Sequence, residues 1–556
     1  MAIEKAELES LLNGETAEVE VPDEMEEILP ENIVIEGEEE MSNIDIIPDP
    51  PEDFNKNLAE IINEDDLTAL ASGLCSDFDE DEESRREWLE TFTKGLDLLG
   101  IKAEDRSEPF PGASGVHHPL LSESVAQFQA QAYKELLPAD GPVKTQILGV
   151  ADTLREQQAQ RVKEFMNYQI TYNMEEYDPE LDQLLFYLPL SGSAFKKVYY
   201  DPAKARAVSS FVMAEDFIVS YSTNDLTECP RATHVIEMSE NHIRKMQMAG
   251  LYRDLEIGAP ANDYEGDVAG VKEKIDDITG VSRPTDSETY TVLEMHVELD
   301  LEGFEDTVDG EPTGIALPYI VTIIKESMQI LSIRKNFDPN DPLKRKIEYF
   351  VHYKFLPGLG FYGFGLIHMI GGLSKSATSL LRQLIDAGTL SNLPAGFKAR
   401  GMRIRDDDTP IEPGEWRDVD VPGGTIRDAL MPLPYKEPSG VLAQLLGVLV
   451  DSGQRFANIA DMKLGDMGQE APVGTTLAMM ERGSKIMSAI HKRLHFAQKM
   501  EFKLLARVFS ESLPPEYPYD VVGGSRTVYA KDFDGQVDVL PVSDPNIFSM
   551  SQRVVL

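Results

Sequence analysis

This sequence predicts an α+β fold, and three patterns carry the prediction. Residues 208 to 353 alternate apolar and polar positions as half-buried strands do, while the segments on either side repeat apolar residues at helical spacing. From Gly358 to Leu513 the order is glycine-rich corner, helix, polar insert, helix, glycine-rich loop and long helix. At 556 residues the chain can bury a large core and should divide into several domains.

Residues 1 to 52 combine acid runs such as Glu38-Glu39-Glu40 with prolines and no aromatic residue, which predicts a disordered arm or a partner-binding one. Leu58, Ile61, Ile62, Leu67 and Leu70 suggest a short helix. Asp77, Asp79 and Asp81 resemble the start of a calcium loop, but Glu82 stands where glycine is required and Trp88 where the closing glutamate belongs. They are better read as the acidic first turn of a helix over 81–99, where the macrodipole favours them. Pro109 to Pro119 is a loop. Its neighbouring histidines, His117 and His118, point apart on any regular backbone, so a structural role is preferred to metal binding. A helix over Ser122–Leu137 carries Val125, Phe128, Ala132 and Leu136 as its apolar stripe. Another over Ala151–Met174 turns Leu154, Val162, Phe165 and Met166 inward. Leu181–Leu188 continues helical, and Phe195–Tyr200 turns to strand.

Candidate strands follow at Phe211–Val219, His234–Met238, Tyr290–Glu298, Pro318–Ile324, Gln329–Ile333 and Ile347–Phe355. Helical breaks fall at Glu240–Ala249 and near Val271–Ile278, within an acidic surface excursion from Asp263 to Asp286. After the glycine corner Gly358-Leu359-Gly360-Phe361-Tyr362-Gly363-Phe364-Gly365, Ser374 is a candidate N-cap for a helix carrying Ala377, Leu380, Leu381, Leu384 and Ile385. The insert from Lys398 to Pro438 reads as turns and short β pieces. A helix from Ser439 places Leu442, Leu445, Leu446, Leu449 and Phe456 on one side. The loop around Gly465 and Gly468 separates it from a helix over Thr476–Leu513, which Pro514 and Pro515 stop. Thr527–Tyr529 and Val537–Leu540 look like short strands, and Asn546–Leu556 like the first turns of a further helix.

Charge excludes one class of partner chemistry. The chain holds 98 acidic residues against 51 basic, a net charge of −47, and the first 53 residues contribute 19 carboxylates and one lysine to it. Tight sequence-independent DNA binding needs Lys and Arg to displace phosphate counterions, so this chain as a whole should repel nucleic acid. The simplest meaning of such acidity is solubility. Cys75 and Cys229 have no metal or redox spacing, which fits a reducing cytoplasm. Nothing resembles a signal peptide, and the longest apolar run, Val441–Val450, is far below the roughly 20 residues needed to span a bilayer.

Motifs for chemistry are sparse. Gly358-x-Gly360-x-x-Gly363 fits the dinucleotide fingerprint formally, with Asp386 at the expected distance, but no repeating βαβ pattern surrounds it and its aromatics make a bulky phosphate cradle. The glycines are better read as bending the chain between two domains. There is no G-x-x-x-x-G-K-[ST], G-x-S-x-G or H-E-x-x-H. His491 and His495 lie four apart as zinc ligands can, without an evident third ligand. Thr476–Leu513 holds Arg482, Lys485, Lys492, Arg493, Lys499, Lys503 and Arg507 against three glutamates. A basic helix in so acidic a chain should meet the acidic surface of an identical neighbour, ahead of a polyanion.

The order of helix, insert, helix, loop and long helix resembles the portal, or head-to-tail connector, proteins of tailed bacteriophages. The segment from Phe110 to Glu123 and the helix Val125–Ala132 after it are similar to podovirus-type portals. The resemblance touches most of residues 105 to 545. It implies a portal-like fold: a wing and core over 53–357, stem helices at 358–396 and 439–460, and a small β-containing clip at 397–438. A tunnel loop at 461–475, a channel helix at 476–513 and a return toward a crown at 514–556 complete it. It further implies a non-enzymatic, dodecameric ring at one capsid vertex of the virion, assembled in the host cytoplasm, through which double-stranded DNA is packaged and ejected. Terminase, which would supply the ATPase, then tail adaptors and capsid or scaffold proteins would be its partners, with no membrane, cofactor or metal.

The resemblance assigns residues to parts. Lys398, Arg400, Arg403, Arg405, Asp406, Asp407, Asp408 and Trp416 fall in the clip, where mixed charge suits successive partners and Trp416 is either a contact anchor or part of a small local core. Lys463, Gly465 and Gly468 fall in the tunnel loop, for which an ordinary flexible connection fits equally well. Leu380, Leu384, Leu442, Leu445 and Leu449 would pack stems of adjacent subunits, and Arg482, Lys485, Lys492 and Arg493 would bridge them. The rival readings are a nucleotide-binding enzyme using Gly358–Gly365 and another capsid or scaffold protein without a central hole.

Overall fold

A computed structural model describes residues 54–102, 104–150, 152–258, 267–281, 289–308, 311–392, 396–398, 403–404, 419–420, 430–432, 435–457, 473–521 and 524–542. Helices and antiparallel sheets alternate in blocks along these residues, an α+β architecture.

Helix α1 (Glu64–Ser84) starts at Asn63, whose side chain accepts hydrogen bonds from the amides of Asp65 and Asp66. Asp77, Asp79 and Asp81 therefore sit deep in α1 rather than in a first turn. The chain breaks at Arg85 and resumes as α2 (Arg86–Leu96). Arg85 causes the break's placement: its guanidinium donates to the carbonyls of Ala214 (2.6 Å), Phe217 (3.1 Å) and Glu215, a non-local bond set that no helical period announces. Helix α3 (Leu120–Leu136) buries the expected stripe of Val125, Phe128, Ala132 and Leu136. Strand β1 (Val143–Ile147) precedes α4 (Thr153–Tyr168), in which Val162, Phe165 and Met166 are buried. Leu154 is exposed, contrary to the sequence expectation, because it lies in the first turn beyond the core's edge.

Helix α5 (Tyr177–Ser191) ends at Gly192 in the left-handed region. Strands β2 (Ser193–Asp201) and β3 (Arg206–Val212) then pair antiparallel. The single strand expected over 211–219 is two, since β4 (Phe217–Val219) joins a different sheet. Strand β5 (Arg231–Ser239), α6 (Glu240–Met248) and α7 (Asp267–Thr279) come next. Part of the acidic excursion is thus a docked helix: Val271 of α7 is buried, and Lys272 Nζ lies 3.0 Å from Asp216 and 3.1 Å from Glu237. Strands β6 (Thr289–Leu299), β7 (Leu317–Ile324) and β8 (Gln329–Lys335) complete a five-stranded antiparallel sheet in the order β8-β7-β6-β5-β4, and β9 (Phe350–Lys354) adds to β2 and β3. In β6, Leu293, Met295 and Val297 face a core shared with Leu67, Leu74 and Phe78 of α1, whereas Tyr290 and Val292 join Ile243 of α6 in a second one.

Helix α8 (Leu366–Asn392) begins eight residues before the expected cap, so Ser374 is a buried interior residue. Of the insert, β10 (Gly396–Lys398) pairs with β13 (Leu430–Pro432), and β11 (Arg403–Ile404) with β12 (Val419–Asp420). Helix α9 (Gly440–Ala457) returns alongside α8. Helix α10 (Val473–Ser512) has 40 residues, roughly 60 Å at 1.5 Å per residue. Its second half buries Ile490, Leu494, Phe502, Leu505 and Phe509 in the largest core. Strands β14 (Glu516–Val521) and β15 (Gly524–Tyr529) form a hairpin, and β16 (Val537–Pro541) pairs with β1. Among the described residues no helix is long and apolar enough to cross a membrane.

Candidate assembly interface

The pair α8 and α9 brackets the insert, and its faces are unequally covered. On α9, Leu442, Leu446 and Leu449 are half-buried, while Val441, Leu445 and Val448 are 72%, 45% and 61% exposed. The exposed three recur at i, i+4 and i+7, a ridge along one side of the helix. Leu445 lies at the edge of the side that carries Leu442, Leu446 and Leu449, next to Leu449, and is the exposed one of the four. Between Gly440 and Val450 there is no charged residue. Leu380 and Leu384 of α8 are half-buried too.

The root of this pair is fixed by the glycine corner. A Cβ on Gly363 would lie 2.4 Å from the Gly192 carbonyl oxygen, and one on Gly365 would lie 2.2 Å from that of Leu190. Ser193 Oγ accepts the Gly363 amide at 2.7 Å, and Phe361 and Tyr362 pack among Phe195, Trp88 and His352. These glycines permit backbone-to-backbone packing and leave no open cradle at Gly363 or Gly365. Asp386 points elsewhere, accepting the Ser114 amide at 2.7 Å.

A groove of about 1050 Å³ lies between α2, the 104–118 segment and α8, and α9 contributes no residue to its lining. Leu98, Ile367 and Gly371 line its deeper part; Gly372, Lys375 and Ser379 are exposed at its rim. Its acids are already satisfied within the chain. Glu104 lies 3.1 Å from His117 Nε2 and accepts Arg382 Nη2 at 2.8 Å, and Asp386 holds Ser114. The His118 amide donates to Thr378 Oγ1 at 3.1 Å. His117 thus pairs within the segment, and the His118 backbone amide, with Arg382, ties the segment to α8.

Helix α10 is anchored by charge as well as by apolar packing. Lys196 of β2 and Glu501 are both fully buried, 3.1 Å apart. Ser209 Oγ donates to Glu501 at 2.6 Å, Tyr353 Oη donates to its other oxygen, and Lys196 Nζ sits 3.8 Å from the Tyr177 ring centre. About two to three turns nearer the N-terminus, His491 Nδ1 and His495 Nε2 (3.0 Å) meet the two oxygens of Glu135 on α3. Burial alone would raise the Glu135 carboxyl, but hydrogen bonds from His491 and His495 outweigh it and hold it at about 2. The histidine pair is thus a hydrogen-bonded clamp on Glu135; among the described residues no cluster of three or more His, Cys, Asp or Glu is arranged to hold a metal.

Of the helix cations, Arg493 donates to the Phe355 carbonyl, Lys499 and Lys503 reach Asp538, and Arg507 donates to the Glu348 carbonyl. These four serve contacts within the chain rather than the neighbour that the sequence suggests. Lys492 is exposed. Arg482 and Lys485 lie on α10, and Lys398 and Arg403 lie on β10 and β11. Arg400, Arg405, Asp406, Asp407, Asp408, Trp416, Lys463, Gly465 and Gly468 lie outside the described residues, as do the 1–52 arm and the segment from Asn546.

Sequence reasoning missed several tethers. Arg231 Nη1 and Nε reach Asp77 (2.6 Å) and Asp81 (2.7 Å), and Lys325 Nζ reaches Asp79 at 2.9 Å, so cations of the five-stranded sheet and its turns occupy the carboxylates that resemble a calcium loop. The i, i+4 spacing of Asp77 and Asp81 was the available signal for an arginine partner. No protein-family model matches the chain, and no curated protein matches it.

Proposed function

We propose that this chain is the subunit of a ring that surrounds a passage for double-stranded DNA, a portal at one capsid vertex. The observation that carries this reading is the uncovered ridge of Val441, Leu445 and Val448 on a helix that flanks a charged insert. Burying apolar area stabilises by about 25 cal/mol per Å², so an uncharged ridge favours a second copy. Repeated around an axis, the α8–α9 pairs become a stem, the insert a docking rim for terminase and then tail adaptors, and capsid or scaffold proteins surround the wing. The net charge of −47 suits a wall along which DNA slides instead of sticking. Arg403 and Arg405 beside Asp406–Asp408 would set the on-rate of partners at the rim.

Size-exclusion chromatography with light scattering tests the reading together with negative-stain images. A large ring with a central hole, of the dodecameric size the resemblance implies, is expected. A monomer at every concentration overturns it, and a closed particle without a hole favours another capsid protein.

A further inference from the structure

We propose that the ridge of α9 in one copy docks into the groove on the α8 side of the next, so that the contact is heterologous; this rests on the ring reading above. The two surfaces are on one two-helix unit but on different helices. Groove-lining positions on α8 recur as Gly371, Lys375, Thr378, Arg382 and Asp386, one helical face. Leu380 and Leu384 fall on the opposite face at 100° per residue. A contact between two unlike patches propagates head to tail and closes into a ring when the rotation allows. A ridge-to-ridge contact would be self-complementary and would stop at a dimer.

The chemistry of both surfaces fits. An apolar ridge entering a groove must not strip charges of their partners, because an unpaired buried charge is costly. Glu104 keeps His117 and Arg382, and Asp386 keeps the Ser114 amide, whatever fills the space. Lys375 can lay its methylenes along the incoming side chains and keep its ammonium in water. Gly371 is buried and Gly372 exposed; a Cβ on Gly372 would meet nothing within 4 Å, so a neighbouring helix can come close there. The ridge supplies two valines and a leucine with no charge for eleven residues, the complement of a groove whose carboxylates are already paired.

Copies carrying Ser379→Cys and copies carrying Val448→Cys, differently tagged and co-expressed, test the pairing with a short bis-maleimide. The native Cys75 and Cys229 are buried and should stay silent. Mixed cross-linked pairs in the assembled fraction are expected. A ring that forms without them, or Val448→Cys copies that link to one another, overturns the docking while leaving the ring reading intact. Wild-type protein that never assembles overturns both. Gly372→Leu gives an independent check, since the space it fills is empty within the chain and leucine favours helix. It should fold with the wild-type helix content by circular dichroism and lose the ring peak; normal assembly by this variant contradicts the proposal.

Discussion

Two helices of this chain meet their surroundings in opposite ways. The second half of α10 is closed off by its own chain: its apolar face lies in the main core, its acid Glu501 is paired with Lys196, and His491 and His495 clamp Glu135. Helix α9 is more apolar in sequence, yet Val441, Leu445 and Val448 remain uncovered. Apolar content therefore does not rank these helices by burial. What ranks them is whether elements distant in sequence supply the cover: β2, β3 and β9 do so for α10, and α8 and α3 cover only one side of α9. The difference marks the second half of α10 as an internal post and α9 as a helix with one apolar side uncovered.

Breaking the post should produce the largest effect. Lys196→Met removes one partner from a fully buried ion pair and leaves Glu501 with the hydroxyls of Ser209 and Tyr353 as donors. Removing one partner of such a pair costs about 3–5 kcal/mol, readable as a lowered urea midpoint. Lys196→Met combined with Glu501→Gln should recover much of it, because a neutral amide can accept from one hydroxyl through its oxygen and donate to the oxygen of the other through its NH2. Equal destabilisation in the single and double variants would show that shape, not charge, holds α10 in place.

A second internal charge gives a pH signature. Glu215 is fully buried beside Tyr187; burial first, and the neighbouring Asp216 next, raise its carboxyl from 4.5 to about 7. The folded protein therefore binds more protons than the unfolded one between these values. Stability contributed here is complete below about 4.5, falls as pH rises through 7, and is level beyond, a change on the order of 3 kcal/mol. Glu215→Gln should flatten that slope in unfolding measured from pH 4.5 to 8. Glu135 has the opposite sign and, being partly solvated, a smaller effect. Its carboxyl is held at about 2, so its contribution is present above 4.5 and fades as pH falls toward 2. Glu135→Gln should remove that acid-side loss and loosen α10 from α3.

The same contrast explains how much could be read from the sequence. Strands β5 to β8 were legible because alternation along them reports a local fact, which side of a pleat is apolar. The long helix was legible from its length and its proline stop. Arg85 was not, since its three carbonyl partners lie about 130 residues away. Nor was the pairing of Val143–Ile147 with Val537–Pro541, in which neither strand carries a signal for the other. For the candidate interface less was legible: α9 was identified as a packing helix, but which of its leucines its own chain half-buries and which it leaves exposed was not, because period alone cannot say which side a distant element will cover.

The smallest expected effect on the isolated chain is the most informative about α9. Leu445 is exposed and Leu449 half-buried, although both are leucines on the same helix. Leu445→Asp puts a charge into water, so the monomer's unfolding free energy should change by no more than about 0.5 kcal/mol. Leu449→Asp puts one against α8 and α3 and should destabilise the monomer by about 1–3 kcal/mol. Both should abolish assembly, one by charging the contact and the other by damaging the helix pair that presents it. Light scattering beside urea unfolding separates the two causes. If Leu445→Asp assembles normally, the ridge is not a contact surface, and α9 is a helix whose apolar side simply faces solvent.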